Sequence, residues 1–165
     1  MNKSQEWQRL SDRQQATIAK QHSEYPVKLG AIAKDFDLIV KRATLTANIS
    51  GQIKESEGVI TIKVNKHDVK ARQRYTLAHE IAHFLLHRHL LADGITDDVL
   101  YRSSLSNVIE READRLAADI IMPMNHVKKL MEKHSIDKKG EHLYEAIAEE
   151  LGVSPIALKI RLDKN

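Results

Sequence analysis

Between Asp68 and His87 the chain contains neither glycine nor proline, and Tyr75, Ala78, Ala82, Leu85 and Leu86 recur at the period of a half-buried helix. Inside that helix lies His79-Glu80-Ile81-Ala82-His83. Histidines four positions apart stand one turn above each other, so both imidazoles reach a single ion. Glu80 lies about 100° around the helix from His79, placed to hold a water beside that ion without ligating it. Ile81 and Leu85 bury the far side. A fold built on this helix must cover one flank, leave the other open to the ion, and bring a further ligand from elsewhere.

Catalytic zinc sites take three protein ligands and leave a fourth position to water. The chain has no cysteine among its 165 residues, which excludes thiolate ligands, thiol nucleophiles and disulfides. A second helix is expected from Asn107 to Met122, stopping before Pro123, with Glu110 and Asp114 one turn apart on one face. Glu112 points about 200° away from Glu110. The apolar face of Ala113, Leu116, Ala117 and Ile120 packs on the first helix and leaves Glu110 and Asp114 at its edge. The expectation is that Glu110 binds the metal and Asp114 accepts a hydrogen bond from a ligating histidine, fixing its tautomer and raising its basicity. The alternative is structural: Asn107 and Glu110 make a capping-box-like start, and Asp114 pairs with an arginine. Two imidazoles and a carboxylate suit Zn²⁺, and also Mn²⁺ or another divalent ion. His87 is read as a cation at a helix C-terminus, with contact to the site as its alternative. His22, His67, His89, His126, His134 and His142 are expected at the surface.

Around this pair the chain reads as α+β. Ser4–Gln21 is an amphipathic helix, Tyr25-Pro26 breaks it, and Leu29, Ile32, Ala33 and Phe36 line the next helix, with Pro26 in its first turn. Leu38–Ala43, Leu45–Ser50, Gln52–Glu55 and Val59–Val64 are short β-branched stretches separated by Gly51 and by Ser56-Glu57-Gly58, and Glu57-Gly58 favours a tight turn. They predict a small, three-stranded, mostly antiparallel sheet. Arg88–Leu105 reads as a long surface loop. A short helix follows from Pro123 to Lys133, then a helical pair, Glu141–Leu151 and Pro155–Leu162, joined by Gly152-Val153-Ser154. The expected divisions are an N-terminal helix over 1–25, the main domain over 26–135, and the helical pair over 136–165 packed on it.

Composition narrows the function. Aromatic residues are 4% and the net charge is +3 with both signs interleaved, which argues against a base-stacking platform or a basic stripe for nucleic acid. The C-terminal pair has the turn of a helix-turn-helix. Its exposed positions Ser154, Pro155, Ile156 and Ala157 are poor base readers, so packing is expected, with protein docking as the alternative and DNA binding as a weaker rival. No secretory signal or membrane span is legible, and a cytoplasmic protein is expected.

Three stretches together resemble the ImmA/IrrE-type zinc metallopeptidases: Ile62–Asn65, Arg72–His87 and Glu110–Pro123. The closing Leu151-Gly152-Val153-Ser154 and Arg161-Leu162 also fit, so the likeness runs from Pro26 to Leu162, departing where Ile120-Ile121 replace the usual leucines. The resemblance implies a zincin-like fold, His79 and His83 as ligands, Glu80 as catalytic base and Glu110 as third ligand. It also implies a protein substrate, a helix-turn-helix transcriptional repressor in phage, mobile-element or stress regulation. The rival reading is a non-catalytic regulatory protein with a structural metal, partnered with a repressor or toxin. A peptide substrate is expected to lie along Val59–Val64 if that strand is a sheet edge. Tyr75, His87, Tyr101 and Arg102 are open as oxyanion donors.

Overall fold

The computed structural model describes residues 3–98 and 107–163. The N-terminal region is two helices rather than one, α1 (Gln5–Gln8) and α2 (Asp12–Ala19). Two serines punctuate it: the Ser4 hydroxyl accepts from the Trp7 N–H at 3.2 Å, and Ser11 forms a reciprocal capping box with Gln14. After a 3-10 turn over Lys20–Ser23, α3 spans Leu29–Asp35, so Pro26 precedes this helix instead of opening it.

The sheet has four strands, not three, and is mixed. β1 (Ile39–Ala43), β2 (Ile49–Ser56), β3 (Val59–Asn65) and β4 (Ile95–Asp98) lie in the order β1-β3-β2-β4. β1 runs parallel to β3, whereas β2 is antiparallel to both β3 and β4. Glu57 and Gly58 both take positive φ, 52° and 77°, as a two-residue hairpin turn between β2 and β3 requires. Ile53 pairs with Ile62 on one side and Ile95 on the other, a buried aliphatic row across three strands. Because β3 lies between β1 and β2, Val59–Val64 has no free edge for a peptide. β4 falls within the stretch read as a loop. It was hidden because only four residues pair, and they do so with a distant strand.

Gly51, expected to separate two strands, lies inside β2 and has another purpose. A Cβ there would stand 2.5 Å from Thr76 Cγ2, 3.1 Å from Glu80 Oε2 and 3.1 Å from the Lys63 carbonyl. The missing side chain lets α4 (Lys70–Leu86) lie close on the sheet at the level of Glu80. Gly51→Ala should therefore cost about 1–3 kcal/mol of overpacking and displace Glu80. Gly30→Ala, with nothing within 4 Å of the added methyl, should be neutral or mildly stabilising. Urea denaturation of the two variants distinguishes them, and equal midpoints would contradict the close approach.

α4 also packs along α5 (Asn107–Ile121). Ala78 and Ala82 on one helix, and Ala113 and Ala117 on the other, are fully buried, so small side chains bring the two axes together. α6 (Met124–His134), α7 (Gly140–Leu151) and α8 (Pro155–Asp163) complete the chain. Gly152 ends α7 in the left-handed conformation, and the Ser154 hydroxyl caps α8 by accepting from the Ala157 N–H at 3.1 Å. Ile147, Ala148, Leu151, Val153 and Leu158 are buried, and Arg161 donates to Asp119 at 3.0 Å and to the Met122 carbonyl at 3.1 Å. These contacts pack the pair against the chain around α5 and α6. The buried hydrophobic residues form one cluster reaching from Trp7 to Leu158. Among the described residues no helix is long and apolar enough to cross a membrane.

Two histidines expected at the surface are instead internal. His22 Nε2–H donates to the Ile120 carbonyl at 2.9 Å, and His126 Nε2–H donates to the His22 carbonyl at 2.7 Å. Burial lowers the His22 pKa from 6.5 to about 4. The unfolded chain then takes up this proton first. The stability that neutral His22 supports is complete above pH 6.5 and is lost as pH falls towards about 4. His22→Gln should remove up to about 3 kcal/mol of that pH dependence. Denaturation midpoints at pH 7.5 and 4.5 measure it, and identical slopes in both proteins would contradict it.

Candidate metal centre

His79 and His83 project from the middle of α4 and are 8% and 0% exposed. Glu110, in the first turn of α5, reaches both. Its Oε2 lies 3.2 Å from His79 Nε2 and its Oε1 lies 3.2 Å from His83 Nε2. Asp114, one turn further along α5, accepts from His79 Nδ1–H at 2.9 Å. The carboxylate can only accept, so this bond turns Nε2 of His79 towards Glu110.

The other imidazole is held by a relay that sequence reasoning missed. His87 closes α4, is 2% exposed, and has both ring nitrogens engaged. Its Nε2–H donates to Glu112 Oε1 at 3.0 Å, so its Nδ1 accepts from His83 Nδ1–H at 2.9 Å. That leaves the Nε2 lone pair of His83 for the site. Glu112 does point away from Glu110, as helical phase required, but it points to His87. Burial lowers the His87 pKa, more than the Glu112 hydrogen bond raises it, so the expected helix-terminal cation is a buried neutral ring.

A fourth group meets these residues. Asp97 Oδ1, carried by β4, lies 3.4 Å from His79 Nε2 and 4.0 Å from His83 Nε2. Candidate ligand atoms of His79, His83, Asp97 and Glu110 all lie within 4.8 Å of one another. His83 Nε2, both oxygens of Asp97 and both oxygens of Glu80 are buried without a hydrogen-bond partner. Orphaned polar atoms of this kind are costly unless something binds them. Two imidazoles and nearby carboxylates make the donor set of a divalent cation.

The titration shifts have the same origin. Burial opposes a charge on His79, yet Asp97, Asp114 and Glu110 together push its pKa well above 6.5. Burial would raise Glu110, but the hydrogen bonds and charges of His79 and His83 outweigh it and hold this carboxyl well below the usual range. Glu80 is fully buried, and burial, then the Asp97 charge, push its pKa well above 4.5. Burial and the neighbouring carboxylate thus both favour the protonated form of this carboxyl.

A cleft of about 1130 Å³ opens from His79, Asp97 and Glu110 past Tyr75 and Arg72 to Ile156 on α8. Tyr75 is thus a wall of the site, its hydroxyl 3.5 Å from the Asp114 carbonyl. Tyr101 and Arg102 lie outside the described residues, as does the capping position before Asn107. Residues 38–163 match the family profile Peptidase_M78, described as the IrrE N-terminal-like domain. No curated protein matches the chain.

Proposed function

The chain belongs to the M78 peptidases, the IrrE N-terminal-like family, and from that premise we propose a zinc-dependent endopeptidase of zincin-like build. His79, His83 and Glu110 hold the ion and Glu80 is the general base. The observation that carries this reading is the meeting of Nε2 of both histidines with the Glu110 carboxylate at 3.2 Å, beside the buried Glu80. When bound, the ion polarises the scissile carbonyl and lowers the pKa of water; Mn²⁺ or another divalent ion fits the same donors. Glu80 accepts a proton from the attacking water on a carboxylate oxygen and passes it to the nitrogen of the leaving amine. Asp114 orients His79, and the His87–Glu112 relay orients His83, so neither imidazole reorients during turnover.

The substrate proposed is a helix-turn-helix repressor in a cytoplasmic setting, cut in an exposed linker or a locally unfolded stretch. β4, an edge of the sheet, takes the place of β3 as the strand on which an extended peptide pairs. A second reading has one observation in its favour. Asp97 brings the carboxylates around the imidazoles to a number sufficient for a closed, four-ligand structural site, as in a non-catalytic partner of a repressor or toxin. The two readings separate on incubating the protein with a helix-turn-helix repressor encoded beside it. The peptidase reading expects two fragments with Zn²⁺ and none with a chelator. An intact repressor held in a stable complex under both conditions supports the binding protein.

A further inference from the structure

We propose that Asp97 is a fourth protein ligand, delivered by β4 into the coordination corner that a zinc peptidase keeps for water, so that the resting site is closed until this carboxylate withdraws. The proposal rests on the metallopeptidase reading and concerns how that site is regulated. One oxygen, Oδ1, approaches both imidazoles, at 3.4 Å from His79 Nε2 and 4.0 Å from His83 Nε2. The Asp97 side chain is 15% exposed and neither oxygen has a hydrogen-bond partner. The fully buried His83 Nε2 makes no hydrogen bond, lies 3.2 Å from Glu110 Oε1 and is aimed into the same space. A buried carboxylate set beside two imidazole Nε2 atoms and another buried carboxylate is a costly arrangement that a bound cation would satisfy.

The backbone explains how this ligand is presented and how it leaves. Asp97 pairs with Gly51, so its cross-strand neighbour offers no side chain to compete for the carboxylate. The pairing is irregular between Ile49 and Gly51, and among the described residues β4 is a four-residue edge strand paired only with β2. Short edge segments with one neighbour belong to the least stable parts of a fold and detach without global unfolding. A peptide pairing with β4 would bind the strand that carries the fourth ligand, coupling substrate engagement to opening of the corner.

The test uses the full chain loaded with Co²⁺ or Zn²⁺, comparing wild type with Asp97→Ala, Asp97→Asn and the exposed control Asp93→Asn. Zn²⁺ affinity, measured by competition with a chromophoric chelator, should fall about tenfold or more in both Asp97 variants and stay unchanged in the control. Azide should alter the visible spectrum of the Co²⁺ form in Asp97→Ala but not in wild type. Equal affinities with an equal azide response in wild type and Asp97→Ala would overturn the proposal. Asp97→Asn keeps the side chain's size, so a folding defect confined to the alanine variant leaves the affinity comparison decisive. If His83→Ala abolishes metal binding while both Asp97 variants bind as wild type does, only this inference fails. If wild type binds no ion, the metallopeptidase reading fails with it.

Discussion

Glu80→Gln is expected to reduce peptide cleavage by about a thousandfold or more while the protein keeps its metal and its fold. The side chain is isosteric and fully buried against Gly51, so the change removes the proton acceptor and little else. It touches none of the proposed ligand contacts made by His79, His83 and Glu110. Burial disfavours the ionised form of Glu80, so a neutral amide should leave thermal stability unchanged or higher. Cleavage assays beside metal analysis of the same sample separate the possibilities. Wild-type turnover with metal bound would remove Glu80 from the mechanism. Loss of both metal and turnover would make it a ligand instead of a base.

His83→Ala has the opposite signature, with metal, activity and part of the stability lost together. The substitution deletes the Nε2 donor, deprives Glu110 Oε1 of its 3.2 Å partner, and leaves His87 Nδ1 without the proton it accepts. Metal that binds only the folded state adds about 4 kcal/mol when its concentration is a thousand times the dissociation constant. Wild type should therefore melt several degrees higher with Zn²⁺ than with chelator, and His83→Ala should melt at one temperature in both. A zinc-dependent shift of wild-type size in the variant would exclude His83 as a ligand.

The two halves of the centre differ in how far they could be read in advance. His79, His83 and Glu80 were legible because chemistry and periodicity coincide on one long uninterrupted helix, α4. Helical phase separates Glu110, which faces His79 and His83, from Glu112, which turns to His87. Asp97 was not legible. Ile95-Thr96-Asp97-Asp98 is too short to show alternation, and its position depends on pairing with Gly51 and its neighbours far back in the chain. The His83–His87–Glu112 relay combines an in-helix neighbour with a residue on another helix, and only α4–α5 packing brings them together. The parallel pairing of β1 with β3 is likewise a property of the crossover, with no local signal in Ile39–Ala43. Gly51 shows the converse case: read as a strand break, it is the position where the sheet accommodates α4.

Anomalous diffraction at the zinc edge, from crystals grown with Zn²⁺, tests the centre itself. The expected result is a single peak bonded to Nε2 of His79, Nε2 of His83 and the Glu110 carboxylate, with Asp97 in the remaining corner of the resting site and Glu80 beside the ion and unbound. A map with no peak where the two imidazoles converge, or one in which Glu110 turns away from the ion, would contradict it.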